Sequence, residues 1–381
     1  MSVSPGKMLL VTTSDVHSDG RIYRNIQALS QANWEISLVH ISNLSDPVPG
    51  TKTYRVGFFK SNSNSVFYEI LLYLINLFIL IMKANYLSVS HRYKVIFVNN
   101  MPNILVLSGL IGKLLGGRII LDIHDPFSIL FRERFPNGWI FLRPFLWLEE
   151  AVSIYLSDAL ITVNLKMKNL FKKYRKPLLV LHNSPDVHGI KELGASCYET
   201  SKTKKKLVFA GHVHKRTGLF ELLKELSSFD REILDRIEIE IWGYGPFLKE
   251  CQRLVEASNL SKLVKFKGKY SHNQIKKIYL DADYSLAPNP PSTFNDFILP
   301  VKVLESLSYG VPVLGRKLDI YNYYAKSIDI TTYRNFAEFY EIIEKITAKN
   351  LSAEKQQVNL SITWATEKNA FIDFVQKEIT R

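Results

Sequence analysis

Short apolar runs of β type alternate with helical segments along the whole chain, and the series breaks once and then starts again. In the first half the runs fall at residues 8–13, 35–41, 94–99, 118–123 and 159–163, with helical patterns at 21–31, 103–115 and 139–156. Such alternation is the signature of βαβ units and a parallel sheet. Residues 192–206 (ELGASCYETSKTKKK) then run polar and basic without apolar periodicity, which marks a linker. After them the alternation resumes: strand 207–210, helix 219–229, strand 237–242, helix 246–257, strand 264–267, helix 273–280, strand 284–287, helix 302–308 and strand 312–314. A chain of 381 residues exceeds what one core usually supports. The expected architecture is α/β, with two Rossmann-like doubly wound domains at 1–190 and 207–360 joined by a linker at 191–206. A helix at 361–381, anchored by Trp364, Phe371 and Phe374, is expected to return to the first domain. Ligands of such sheets bind outside the carboxyl ends of the strands, so the expected site is a cleft faced by both domains.

Charge narrows the partner. Lys and Arg outnumber Asp and Glu by 49 to 36, a net charge of +13 that favours an anionic ligand or surface. No reading motif for nucleic acid accompanies it, and the basic residues spread through both halves, so nucleic acid is not an expected partner. The two cysteines, Cys197 and Cys251, form no CxxC or Cys/His cluster, which speaks against a disulfide framework or a zinc site. With no signal-peptide pattern at the start, the expected location is cytoplasmic. Residues 67–82 (FYEILLYLINLFILIM) are apolar all round but shorter than a span of about 20 residues. They read as a wholly buried helix or as one lying in a membrane interface. The aromatic stretch WIFLRPFLWLEEAVSIYL and the basic run KMKNLFKKYRKP suit contact with anionic lipid on the inner face of a membrane, although the basic run reads equally as a solvated helix face.

Three segments of the second half carry candidate chemistry. Gly211 follows the strand LVFA and opens a turn containing Lys215 and Arg216 before a helix, an arrangement that offers free N–H groups and cations to a phosphate. Gly243 and Gly245 form a tight turn before Pro246. In NDFILPVKVLESLSYGVPVL, Pro300 and Val301 start a helix on which Lys302 and Glu305 share one face, and Gly310 and Pro312 end it. There a carboxylate can accept two hydroxyl bonds of a ribose while the ammonium neutralises a diphosphate. An exposed salt-bridged pair is the plain alternative. In the first half, His124 and Asp125 end a strand, and Asp15, His17, Asp19 and Arg21 line the first strand-to-helix turn, where Asp19 reads at least as well as a helix cap. These Asp and His residues find no coherent further ligands, so no metal cofactor is expected.

The segment Pro300, Lys302, Glu305, Gly310, Pro312 and Val313 resembles the PxKxxExxxxGxPV pattern of GT-B glycosyltransferases related to retaining family 4. Gly211, the GxGP turn and the run VKFKGKYSHNQIKKIYLDADYSLAP extend the likeness across nearly all of the second domain. In the first domain it continues more thinly, through SDGRIYRNIQAL, DIHDP, SDALITVN and HNSPD. The resemblance implies a GT-B fold and transfer of a sugar from a nucleotide diphosphate donor to a saccharide or polyprenyl-linked acceptor, in bacterial surface polysaccharide synthesis and with retention. It implies a donor ribose at Glu305, diphosphate contacts at Lys302 and Arg216, a nucleobase facing Gly268, Lys269 and Tyr270, and a reacting sugar near His124 or Asp125. Two positions depart from the pattern. The usual second acid, eight residues before Glu305, is Phe297, with Asp296 the nearest carboxylate; the usual arginine and lysine of the first glycine loop are His212 and Thr217. Those departures keep a non-catalytic nucleotide-sugar binder in view as the alternative, beside a GT-B nucleotide-sugar epimerase.

Overall fold

The computed structural model describes residues 6–14, 16–17, 19–41, 47–56, 66–99, 102–134, 139–185, 204–348 and 360–380. The chain divides into two compact units, Met1–Asn183 with Ala365–Arg381, and Ser184–Trp364. Most of the linker expected at 191–206 lies outside the described residues, as does Asp15.

The first unit is built on strands β1 (Lys7–Thr12), β2 (Glu35–Ile41), β3 (Thr51–Val56), β4 (Val95–Asn99), β5 (Arg118–Ile123), β6 (Ala159–Thr162) and β7 (Leu178–Val180). They form one sheet in the order β3-β2-β1-β4-β5-β6-β7, and every pairing is parallel. Its helices are α1 (Gly20–Gln31), α2 (Val66–His91), α3 (Leu110–Leu114), α4 (Phe127–Arg134), α5 (Trp139–Leu156) and α6 (Leu165–Phe171). The central strands are covered on both faces, so β1, β4 and β5 are near-continuous apolar runs with interior positions fully buried. The edge strand β3, TKTYRV, is half-buried and polar, which is why its sequence carried no strand signal. The helix expected at 103–115 begins instead as 3-10 turns, Asn103–Gly109, and becomes α3 only at Leu110.

The second unit repeats the plan with β8 (Lys205–Ala210), α7 (Leu219–Leu226), α8 (Arg231–Leu234), β9 (Ile237–Trp242), α9 (Leu248–Ala257), β10 (Val264–Gly268), α10 (His272–Leu280), β11 (Tyr284–Ala287), α11 (Val301–Ser308), β12 (Val313–Arg316), β13 (Ile330–Tyr333) and α12 (Phe336–Ala348). Its order, β10-β9-β8-β11-β12-β13, is again all parallel. In both sheets the chain starts at the centre, winds to one edge, then returns to wind toward the other. The direction reverses between β1 and β4 in one and between β8 and β11 in the other, and such switch points are where doubly wound sheets bind ligands.

Helix α13 (Trp364–Thr380) belongs, from Ala365 onward, to the first unit. The Glu367 carboxylate accepts from the His182 backbone N–H at 3.1 Å and also pairs with the His182 ring. The Phe371 ring stands edge-on to Phe97, 6.0 Å between centroids, and Glu378, 1% exposed, pairs with Arg118 at 3.6 Å.

The wholly buried reading of residues 67–82 does not hold. Helix α2 is longer, 26 residues, and among its described side chains only a stripe at Asn76, Leu77, Leu80, Ala84, Leu87 and Ser88 is covered, whereas Phe78 is 63% and Tyr86 65% exposed.

Candidate functional site

At the carboxyl end of β8, the backbone of three neighbouring loops meets. The turn after β8 rises through Gly211 to the 3-10 segment Lys215–Thr217 and closes at Gly218. Gly218 has φ +72°, and a Cβ there would stand 1.9 Å from the carbonyl oxygen of Pro288 in the loop after β11, so only glycine lets the two loops touch at the switch point. Gly243, at φ +141° beyond β9, is fixed in the same way: its Cβ would fall 1.8 Å from the Gly211 carbonyl oxygen. Gly245 lies beside Val213, whose N–H donates to the Tyr244 oxygen at 2.8 Å, and the Gly243 N–H donates to the Gly268 oxygen at 2.7 Å. The glycines read from the sequence as turn-formers therefore lock the loops after β8, β9, β10 and β11 into one rim.

Lys302 and Glu305, on the first turns of α11, stand at that rim. The Lys302 ammonium lies 3.6 Å from the centre of the Phe209 ring, and its Nζ would be 3.8 Å from a Cβ on Gly211. The residue as a whole is half-buried, yet the Nζ atom is shut from solvent and has no hydrogen-bond partner among the described residues. Burial drives its pKa down to about 7 against the opposing pull of Glu305. Burial likewise drives Glu305 up to about 7, resisted by Lys302 and by a hydrogen bond from Tyr279. The Tyr279 hydroxyl also lies 3.4 Å from the Lys302 carbonyl oxygen, and its ring stacks on Tyr309, 5.8 Å between centroids. The Tyr270 hydroxyl is pushed up to about 12 by burial and then by the Glu305 charge, which brings the β10 loop toward the same carboxylate. An exposed surface pair, the plain alternative for Lys302 and Glu305, is not what forms.

Around this core the flanking cations are exposed. Arg216 stacks over Phe294 at 5.0 Å, and Asn295 holds the loop beneath by donating to the oxygens of Arg216 at 3.0 Å and Pro290 at 2.7 Å. Lys269 sits 4.4 Å over the Tyr244 ring, against which His212 packs edge-on at 5.3 Å. The Thr217 hydroxyl donates to the His214 oxygen at 2.6 Å and so serves the turn itself. Val301 is exposed on the first turn of α11, with Pro300 before it. The Asp296 carboxylate accepts the Asp319 N–H at 2.8 Å, which fastens its 3-10 segment to the one after β12. Phe209, Phe294, Asn295 and Tyr279 complete the site and were not singled out in the sequence. Only Phe209 left a trace there, as the residue two before Gly211 on a strand whose alternate side chains share a face.

In the first unit, Arg21 turns inward from the first strand-to-helix turn. Its guanidinium is buried, donates to both Asp122 oxygens at 3.0 and 2.8 Å, and reaches the Leu181 oxygen at 2.5 Å and Asn183 at 3.1 Å. It ties α1 to β5 and to the segment after β7. Asp19 is the cap of α1, accepting from the N–H groups of Arg21 and Ile22 at 3.2 Å each. His124 turns its Nε2 to Asp122 at 3.1 Å, and Asp125 follows it at the end of β5, with His17 exposed in the β1 turn. Burial opposes ionisation of Asp122, but Arg21 and His124 prevail and hold it well below the usual carboxylate range. A separate depression bounded by Lys7, Trp34, Lys52, His91 and Tyr93 opens at the amino ends of β1 and β2, away from every loop described above. Among the described residues, no three His, Cys, Asp or Glu side chains gather as a metal site.

Comparison with known proteins identifies the fold. No curated protein matches the chain in sequence. Sucrose-phosphate synthase from Thermosynechococcus elongatus superposes with a TM-score of 0.70 at 14% identity, over 98% of this chain and 99% of that one. The catalytic domain of starch synthase IV from Arabidopsis thaliana, bound to ADP and acarbose, gives 0.66 at 11% identity with 100% of each chain covered. HepE from Anabaena, in complex with UDP and glucose, gives 0.62 at 13% identity over 98% and 100%. The fold is therefore that of GT-B glycosyltransferases. Residues 198–357, which span the whole rim, match the family model of glycosyl transferases group 1. The second unit is thereby a glycosyl transferases group 1 domain, and the protein that carries it is a glycosyltransferase.

Proposed function

We propose that the rim of the second unit binds a nucleoside diphosphate sugar and that its sugar passes to a saccharide or polyprenyl-linked saccharide acceptor. The observation that carries this reading is the Lys302 ammonium, held without solvent or hydrogen-bond partner beside Gly211 at the switch point. A buried cation without a partner is costly, and a diphosphate oxygen is the partner its position invites. Glu305, three residues on, accepts the ribose hydroxyls. Lys215 and Arg216 approach the diphosphate from the β8 turn. In the reaction the bond between the anomeric carbon and the diphosphate oxygen breaks, its electron pair leaves with the diphosphate, and the acceptor hydroxyl oxygen bonds to that carbon. These cations stabilise the departing charge, and no metal ion has a role.

Retention of configuration follows if the acceptor hydroxyl attacks from the side the diphosphate leaves, which also lets the hydroxyl proton pass to a diphosphate oxygen without a protein base. The polysaccharide role rests on the sequence resemblance described above. Titration calorimetry with UDP, ADP and GDP tests the donor reading. One of them binds, and Glu305→Ala weakens it about tenfold or more through loss of a bidentate charged hydrogen bond. Failure of all three to bind, or unchanged affinity in Glu305→Ala, refutes it.

A further inference from the structure

We propose that the first unit docks on an anionic lipid bilayer through the outer faces of α2 and α5. Both helices are pinned to one support. Asn85 of α2 donates to the Leu107 oxygen and accepts the Ile111 N–H, both at 2.9 Å, while Glu149 of α5 accepts from Asn103 at 2.8 Å and from the Ile104 N–H at 2.6 Å. Each helix buries one narrow stripe and turns its apolar remainder outward. On α5 the exposed residues include Phe141 at 79%, Phe145 at 68% and Trp147 at 59%, while its covered positions are Glu150, Ser153 and Ile154. That is the reverse of an ordinary surface helix, whose apolar side faces the core. Apolar exposure this extensive marks a binding face.

The rim of this face is basic. Arg143 lies within α5, and the exposed Lys172, Lys173 and Arg175 follow α6. Lys176 joins the two elements: its Nζ donates to the Tyr155 oxygen at 2.8 Å and lies 5.9 Å over the ring of Tyr155, which is 78% exposed. Aromatic side chains with cations at their edge match a headgroup layer over acyl chains. A second copy of the chain would set basic rim against basic rim, which repels. The stretch Tyr68–His91 of α2 is long and apolar enough to cross a membrane, but Leu80 and Ala84 are wholly covered, so the helix lies on the bilayer without spanning it.

The test is co-sedimentation of the full chain with vesicles of phosphatidylcholine alone and of phosphatidylcholine with phosphatidylglycerol. The anionic vesicles bind it and high salt weakens the binding. Phe145→Ser combined with Trp147→Ser lowers partition about tenfold or more. Lys172→Glu and Arg175→Glu each lower it about fivefold, and on the anionic vesicles alone. All these positions are exposed, so the melting temperature stays unchanged. Absence of binding, partition indifferent to both sets of variants, or self-association through the same residues overturns the proposal. A lipid-linked acceptor would give this face its purpose, but vesicle binding is measured without nucleotide, so it stands or falls apart from the donor reading.

Discussion

Replacing Lys302 by methionine should stabilise the empty protein while destroying its affinity for a nucleoside diphosphate. The stem keeps its length and remains on Phe209, so what is removed is the buried charge. At about 1.36 kcal/mol for each tenfold change in proton affinity, a pKa lowered from 10.5 to about 7 makes the charged form on the order of 4–5 kcal/mol costlier in the fold than in water. One loss offsets part of that: the ammonium over Phe209 gains about 2 kcal/mol from the ring face, while the pull of Glu305 is already contained in the lowered pKa. The net gain at pH 6 is about 2–3 kcal/mol, which for a unit of this size raises the melting temperature by about 5–10 °C. The sign fixes the pH course as well. A lysine with a depressed pKa in the fold costs most below about pH 7, and the cost fades as pH rises toward 10.5. The advantage of Lys302→Met therefore shrinks above pH 7. Calorimetric melts from pH 6 to 9, paired with UDP and ADP titrations, read both effects. A lower melting temperature at pH 6, or diphosphate binding equal to that of the parent, refutes the assignment of Lys302 as a cation held ready for a ligand.

Gly243→Ala must move either its own strand end or the Gly211 carbonyl 1.8 Å away, so it should cost about 3 kcal/mol or more and weaken donor binding, against about 1 kcal/mol for Gly310→Ala, where nothing lies within 4 Å; equal losses in urea unfolding would mean the rim tolerates displacement. Asp122, held below its usual range by Arg21, contributes stability that is complete above about pH 4 and lost as pH falls toward its folded pKa. Asp122→Asn should accordingly lower stability at pH 7 by about 3 kcal/mol, because it leaves the buried Arg21 unpaired, and should flatten the acid limb of the stability curve; an unchanged limb would assign acid unfolding to other groups. Donor binding at pH 8 should take up protons, because the diphosphate restores the charge of a lysine lying near 7; titrations in buffers of different ionisation enthalpy measure the uptake, and enthalpies independent of buffer would contradict it.

The doubly wound plan was legible in the sequence because the central strands of a parallel sheet are apolar runs covered on both sides, and β1, β4, β5 and β8 announce themselves that way. The edge strands β3 and β13 were not legible, since TKTYRV and ITTY face water and carry little apolar pattern. At the site, the glycines and the Lys302 and Glu305 spacing were visible. Their meaning was not: an acid and a cation three apart on a helix read the same whether exposed or enclosed, and only Phe209, Tyr279 and the Gly211 turn decide which. Residues 67–82 misled for the opposite reason. Composition records that a helix is apolar all round, but not that one stripe suffices to hold it while the others remain outside.

The two departures from the family pattern become intelligible once the β8 turn is seen. Thr217 spends its hydroxyl closing the turn on His214, and His212 packs on Tyr244, so neither supplies the charge that lysine and arginine would bring there. Arg216 lies over Phe294, and Lys215 is exposed. The only cation in the rim that is both enclosed and without a hydrogen-bond partner among the described residues is Lys302. An exposed lysine or arginine is charged at any working pH and shares its field with water, whereas Lys302 carries its charge in full only when an anion arrives. Concentrating the diphosphate interaction on such a group makes donor affinity depend on pH between about 6 and 8, and the charge is then greatest when the diphosphate is most negative, as its bond to the sugar breaks.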